Sequence, residues 1–301
     1  MESLVLHSVR TRIAAGVVVG LCVMPNVARA QGAETGAGTE PPRGPATAWS
    51  SFLPILGAEA ERRGYELPLP FGISVNGFAL NEPYRVEELR LSLNDGAPRS
   101  VSSQLLRVSA VEVAARSTTL RADVWLFPFL NVYGIGGYSR GKAVLGLTLL
   151  PGAQGLTKEI RIPTLRYEGP TYGGGVVLAG GYKNFFATLD ANRTTTRVDL
   201  LDSHVNTVVV GSRLGWRQKF GDVHGSWWLG AMYQKSSQTM TGSVSAAADA
   251  PSIRFEVDQT TDKPWNLLIG TQWELGPHWW CLLEGGLGDR KQVLGSVNYR
   301  F

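Results

Sequence analysis

Apolar and polar side chains alternate along the last ten residues of the chain, 292–301. The residues on one side are Val293, Gly295, Val297, Tyr299 and Phe301. The other side carries Gln292, Ser296, Asn298 and Arg300, and Leu294 interrupts its polar row. Because successive side chains of a strand point to opposite faces, this pattern predicts a strand with one apolar and one polar face.

Similar segments, separated by turn residues, follow one another from Leu69 to the end of the chain, and none has a helical period. They predict about twelve strands, over residues 71–80, 86–94, 103–115, 118–127, 130–138, 171–182, 185–195, 204–218, 225–236, 264–275, 279–289 and 292–301. We therefore expect an all-β chain that forms an antiparallel transmembrane β-barrel, because bacterial barrels have an even number of strands, and we expect the final strand, 292–301, to close it.

The predicted connections alternate in length, as they do in an outer-membrane barrel with short periplasmic turns and longer outer loops. The short, periplasmic group consists of residues 94–100, 127–129, 182–184, 220–224 and 276–278. The longest connections, 139–170 and 237–263, fall on the opposite side. Three short outer turns, at 82–85, 116–117 and 289–291, are exceptions to the rule.

Charged and amide side chains fall on the polar row of several predicted strands. A charge on the lipid face costs about 2–4 kcal/mol at mid-depth, so we expect these residues to line the lumen. The predicted lining residues are Arg121, Asp123, Asp190, Asn192, Gln272, Glu274, Glu284 and Arg300. Two sets are expected to pair: Arg121 with Asp123, and Arg300 with Glu274 and Glu284. Aromatic residues near the predicted strand ends predict interfacial girdles. They include Trp125, Phe127, Phe129, Trp216, Trp227, Trp265, Trp273, Trp279 and Tyr299.

The amino-terminal residues have the features of a secretory signal peptide. Arg10 and Arg12 precede an apolar run over residues 13–24, and Ala28 and Ala30 form a small-x-small cleavage site. This run is shorter than the roughly 20 residues that a membrane-spanning helix needs. We predict a signal peptide over residues 1–30. Its removal takes away three arginines and one glutamate, so the formal charge falls from +4 to +2.

Two short regions precede the predicted barrel, which covers residues 67–301. Residues 31–48 are dominated by small and polar types, which predicts a disordered periplasmic leader. Residues 49–66 predict a short amphipathic helix that starts near Ser50 or Ser51 and ends at Gly64. This helix either lies on the barrel rim or plugs its mouth.

Several stretches resemble bacterial outer-membrane β-barrel proteins of unknown function. They are LPLPFGISVN (67–76), DVWLFPFLNVYGIGGY (123–138), LAGGYKNFFATLDAN (178–192), LGAMYQ (229–234) and the closing YRF. The resemblance covers most of residues 67–301 and implies location in the cell outer membrane, contact with outer-membrane lipid, and recognition of Tyr299 and Phe301 by the barrel-assembly machinery. It implies no catalytic residue.

Three classes of function are compared with the sequence. A narrow porin-like channel for small polar solutes is the favoured hypothesis, because the predicted lining is polar. The alternative is a sealed structural or surface-interaction barrel. An enzyme is least favoured, because Asp202, Ser203 and His204 are adjacent in an extended segment and cannot form a catalytic relay. The four histidines lack metal-ligand spacing, and the charge gives no indication of nucleic acid, so we expect no metal, cofactor or nucleic acid.

Overall fold

The structure is a computed structural model, and it describes residues 29–30, 51–93, 99–100, 106–149, 158–161, 165–198, 203–244 and 253–301. The predicted leader and nearly all of the predicted signal peptide lie outside these residues. Within the described ranges, no helix is long and apolar enough to cross a membrane.

One short helix and fifteen strands are formed by the described residues. The helix is α1, Gly57–Arg62. The strands are β1 (Arg29–Ala30), β2 (Tyr65–Glu66), β3 (Phe71–Leu93), β4 (Arg99–Ser100), β5 (Leu106–Phe127), β6 (Leu130–Leu149), β7 (Lys158–Arg161), β8 (Leu165–Tyr182), β9 (Phe185–Val198), β10 (Ser203–Phe220), β11 (Val223–Val244), β12 (Ile253–Thr261), β13 (Trp265–Glu274), β14 (Trp279–Leu287) and β15 (Lys291–Arg300).

Ten of the described strands close into an antiparallel barrel. The ring runs β3, β5, β6, β8, β9, β10, β11, β13, β14 and β15, and β15 returns to pair with β3. The prediction that the final strand closes an all-β antiparallel barrel is confirmed. We call the end that holds Phe301 the lower end and the opposite end the upper end.

The strand β12 lies outside this ring of ten. It pairs with the upper parts of β11 and β3, above the short strands β13 to β15. Among the described residues, the closed wall therefore has ten strands, and β12 extends it upward together with the upper parts of β11 and β3, beyond the last described β3–β5 pair, Tyr84 and Val111.

The predicted count of about twelve strands is wrong, because two predicted outer turns do not exist. Residues 82–84 pair with β5 and residues 116–117 pair with β3, so both segments lie inside the long strands β3 and β5. Arg85 continues β3 and pairs with Thr260 of β12. Polar residues such as Glu82 and Ser117 were interpreted as turn residues, but each points into the barrel and is buried. As a consequence, β3 ends at Leu93 in the upper part of the wall, whereas the sequence predicted a periplasmic turn after this strand.

Side chains of the ring alternate between a buried inner face and an exposed outer face. Exposed apolar residues form a belt on the outer face, for example Ile73, Val75, Leu120 and Val297. Most of the aromatic residues named for a girdle lie at the lower end, where Trp227 packs against both Trp216 and Trp273. Trp125 is an exception, because it points inward and is fully buried.

The segment before the barrel forms a helix much shorter than the predicted 49–66. Helix α1 begins after Leu56 and ends before Gly64, whose positive φ of 82° stops it as predicted. The Ile55 amide donates a hydrogen bond to the Leu126 carbonyl at 2.8 Å, which ties the segment to the lower end of β5. This end of the segment therefore lies at the lower rim.

Candidate functional site

The inner face of the barrel holds the candidate site. The structure buries seven of the eight predicted lining residues on this face, with side chains that are at most 9% exposed: Arg121, Asp123, Asp190, Asn192, Gln272, Glu284 and Arg300. The eighth, Glu274, is half-buried at the lower end of β13, where its carboxylate lies 3.5 Å from Nδ1 of His224.

A lower network joins charged side chains of β5 and β15 with polar side chains of β6. Nη1 of Arg300 donates to Oδ1 of Asp123 at 2.9 Å, and Nδ2 of Asn131 donates to the same oxygen at 2.7 Å. Arg121 donates to Oδ1 of Asn131 at 2.9 Å, and its guanidinium carbon lies 3.7 Å from the centre of the Tyr133 ring. Two arginines therefore surround one buried carboxylate.

A glycine allows Arg300 to reach Asp123 across an intervening strand. In the register of the sheet, Gly72 of β3 lies between Arg300 of β15 and Asp123 of β5. A Cβ at Gly72 would lie 2.6 Å from Oδ2 of Asp123 and 2.8 Å from Nη1 of Arg300. The absence of a side chain is thus a requirement for this ion pair.

The lower network continues across the next strands through Tyr133. Its hydroxyl donates to the carboxylate of Asp190, at 2.9 and 3.0 Å from the two oxygens, and Asn192 donates to Oδ1 at 3.0 Å. Gly175 of β8 lies between Tyr133 of β6 and Asn192 of β9 in the register. The Tyr133 side chain therefore reaches β9 across a residue without a side chain.

A middle network is centred on Glu284. Nε of Arg213 donates to Oε2 at 2.6 Å and Nη2 donates to Oε1 at 2.9 Å, which makes a bidentate ion pair whose two side chains are each 1% exposed. The indole N–H of Trp228 also donates to Oε2, at 2.7 Å. The Trp228 ring packs over Gly270, where a Cβ would lie 2.3 Å from the ring. Charge-assisted bidentate pairs of this kind are among the strongest hydrogen bonds in proteins.

An upper network surrounds Glu82. Nη1 of Arg290 lies 3.4 Å from its carboxylate, and both side chains are fully buried. Gln234 donates to Glu82 at 3.5 Å, and Nε of Arg290 donates to Gln292 at 3.0 Å. Polar contacts therefore close the interior at three successive levels.

The predicted partners of Arg300 and Glu284 are wrong, whereas the expected proximity of Arg121 and Asp123 is found at 3.8 Å. Arg300 pairs with Asp123, Glu284 pairs with Arg213, and Glu274 lies beside His224. The reason is the register, because Glu284 lies opposite Leu294 and thus six residues along β15 from Arg300. Side chains that far apart on one strand do not meet.

Sequence reasoning missed Arg213, Glu82 and Arg290. Arg213 lies on the row opposite the apolar residues Val210 and Leu214 of a predicted strand, so its inward position could have been noticed. Glu82 and Arg290 were assigned to turns, and nothing local marks them as interior residues.

The described interior is packed rather than open. Large side chains that are less than 2% exposed fill it, among them Trp125, Trp228, Met232, Leu268 and Leu294. Apolar residues such as Phe78 and Leu282 pack on the same face as the ionic networks. The interior is therefore less uniformly polar than the sequence predicted, and water has no access to these side chains in this conformation.

No group of three or more His, Cys, Asp or Glu side chains with metal-binding geometry occurs in the described part of the chain. His204 is exposed at the start of β10 and Asp202 lies outside the described residues.

Comparison with solved structures returns outer-membrane β-barrels. The outer membrane protein OprG from Pseudomonas aeruginosa is 10% identical, with a TM-score of 0.39, and the match covers 78% of this chain and 98% of that one. The β domain of the Bordetella autotransporter BrkA is 13% identical (TM-score 0.34; 77% and 100% covered), and the Ralstonia pickettii toluene transporter TbuX is 10% identical (0.34; 78% and 90%). No family model and no curated protein matches the chain.

These similarities are too low to carry an argument about function. The class of protein is defined by the strand pairing itself, which is that of a closed antiparallel barrel with an apolar outer belt and a buried, partly ionic interior.

Proposed function

We propose that this chain is an integral protein of the bacterial outer membrane, with a narrow channel-like path for small polar solutes that is closed in the present conformation. The observation that carries the proposal is the reversal of polarity across one closed wall. Apolar side chains are exposed outside and ionic ones are buried inside, which is the opposite of a water-soluble protein.

Membrane insertion removes the free-energy cost of exposing the apolar outer face to water. Val75, Leu120 and Val297 lie side by side on three adjacent strands and are each about half exposed. A contiguous apolar surface of this kind, which continues around the ring, is far larger than the patches that soluble monomers leave in water. In a lipid bilayer the same surface is solvated by acyl chains.

The predicted signal peptide supports export, and the lower aromatic residues support an orientation with the lower end in the periplasm. Phe301 stacks on Phe71 at 5.9 Å and exchanges two backbone hydrogen bonds with it. Recognition of Tyr299 and Phe301 by the assembly machinery, and contact with outer-membrane lipid, remain part of the proposal.

Conduction requires the interior networks to separate. The middle network is one candidate barrier, because Arg213 of β10 and Glu284 of β14 form a fully buried ion pair inside the barrel. Ionic side chains that pair with each other can also exchange partners with a passing polar solute, as charged pore linings do. A small polar solute is therefore the class of substrate that fits this path.

A permanently sealed barrel is the second candidate. The observation that favours it is the apolar packing of Phe78, Leu282 and Leu294 beside the networks, which resembles the core of a soluble protein. In that case the barrel acts through its surface or as a structural element of the membrane.

Single-channel recording distinguishes these candidates. We expect the purified protein in a planar bilayer to show rare, brief openings, and the double variant Arg213→Ser/Glu284→Ser to open more often, because only the lower and upper networks then have to separate. Glu274→Gln at the lower rim is the matched control and should behave like the wild type.

Two results would contradict the proposal in different ways. Absence of current from both the wild type and the double variant would support the sealed barrel. Recovery of the protein as a soluble periplasmic species would reject membrane insertion altogether.

A further inference from the structure

The outer face of the barrel carries a group of basic side chains above the apolar belt. Five cations from four strands surround one groove, which we call the basic groove, together with small residues such as Ala79, Ala114 and Gly285. The cations are Lys291 of β15, Arg116 of β5, Arg140 and Lys142 of β6, and Arg166 of β8. The groove has a volume of about 1030 Å³.

Like charges lie directly opposite each other in this groove. Arg116 pairs in register with Arg140, and Lys142 pairs with Arg166. Like charges in such cross-strand positions destabilise a sheet. One carboxylate, that of Glu168, lies 3.3 Å from Arg140 and offsets part of this repulsion. Five cations with this arrangement favour an anionic ligand.

The groove lies at the upper edge of the apolar belt. On β3 the outward residues from Phe71 to Ala79 are apolar or glycine, and Asn81 is the next outward residue. Toward the upper end, Lys291 is the next outward residue above Val293 on β15, and Arg140 is the next outward residue above Tyr138 on β6. At about 3.3 Å per residue and a tilt of about 40°, the belt on β3 is roughly 20 Å tall, near the height of the lipid-facing band of such barrels. The cations are thus at the level of the outer-leaflet head groups.

We infer that the basic groove binds the phosphate groups of lipopolysaccharide, the phosphorylated glycolipid of the outer leaflet. This inference rests on the proposed location in the outer membrane. Arginine guanidinium groups form bidentate hydrogen bonds with phosphate, and lysine supplies a compact charge. The small residues on the groove floor leave room for a sugar head group, since ligand pockets have volumes of roughly 300–1,000 Å³. The apolar belt directly below accommodates the acyl chains.

The binding experiment uses the full protein in detergent, with purified bis-phosphorylated lipid A as the probe and native mass spectrometry as the readout. The test variant, Arg116→Gln/Lys142→Gln, removes one cation from each like-charged pair. We expect it to bind lipid A on the order of tenfold more weakly than the wild type. Lys235→Gln is the matched control, because Lys235 is an exposed cation on the outer face of β11, outside the groove, and should leave binding unchanged.

A stability measurement provides a second readout. Because the cations repel one another, we expect the double variant to melt at a higher temperature than the wild type in lipid-free detergent. Lipid A should then raise the melting temperature of the wild type and have little effect on the variant, since a ligand stabilises only the protein that binds it. If the double variant does not fold, Arg166→Gln alone is tested in the same two ways.

Three outcomes would overturn the inference. Equal lipid A affinity of the wild type and the groove variants would show that these cations do not take part in binding. Equal affinity for bis-phosphorylated lipid A and for lipid A from which both phosphates have been removed would show that phosphate is not what is recognised. Displacement of lipid A by inorganic phosphate at equal concentration would identify a site for free anions. Fractionation of the wild type with the outer membrane tests the proposed location separately, so the two failures are distinguishable.

Discussion

The lower and upper parts of the wall are built from some of the same strands but differ on their outer face. In the lower part, outward residues of β3 such as Ile73 and Val75 are apolar. In the upper part, Arg90 of the same strand lies within 2.8 Å of carboxylate oxygens of Glu88, Glu256 and Asp258. A register shift between Asp258 and Gln259 accompanies this change. The difference shows that the lower part is suited to lipid and the upper part to water.

The interior does not follow this division. Buried ionic networks are found at three levels of the ten-stranded part, from Arg300 near the lower end to Arg290 beside the upper end of β15. Above them, Gln238 still donates to Gln259 on the buried face at 3.1 Å. The environment therefore determines the outer face, whereas packing across the bore determines the inner face.

The largest effect is expected from the middle network. Glu284→Ala should lower the free energy of unfolding by about 3–5 kcal/mol, because it leaves Arg213 buried without its carboxylate. Denaturant unfolding in detergent measures the change. Glu274→Gln should cost much less, since the Glu274 carboxylate is half-buried at the rim. Similar losses for the two variants would show that the interior is wetter than its packing indicates.

A charge placed on the outer face tests the contrast between the two parts directly. Val75→Arg lies in the middle of the apolar belt and should cost about 2–4 kcal/mol in a bilayer. The control, Ser237→Arg, adds the same side chain to an exposed position in the upper part of β11 and should have little effect. Refolding into lipid vesicles measures both. Equal tolerance of the two arginines would place the belt outside the membrane.

The smallest effect is expected at Gly72. Gly72→Ala should cost about 1–3 kcal/mol, because the added methyl group separates Asp123 from Arg300. Gly77→Ala on the same strand is the control, since a Cβ there meets nothing within 4 Å. Thermal unfolding should separate the two variants, and an unperturbed Gly72→Ala protein would mean that the Arg300 ion pair contributes nothing to stability.

Local sequence patterns were sufficient to predict the features that depend on a single strand or a single turn. The alternation in residues 185–195 predicted which side chains of β9 are buried, and the turns at 182–184 and 276–278 are where the sequence placed them. The reason is that the period of two is a property of the extended backbone and needs no information from the rest of the chain.

The sequence alone thus determined the all-β class, the antiparallel hairpins of the lower end and the closing role of residues 292–301. The tertiary structure decided the number of strands, because polar residues such as Glu82 and Ser117 mark a turn in an exposed segment and an interior position in a barrel. It also decided the ion pairs. Arg213 and Glu284 are 71 residues apart in the chain, and they meet only because barrel closure and the register bring β10 and β14 to face each other across the interior.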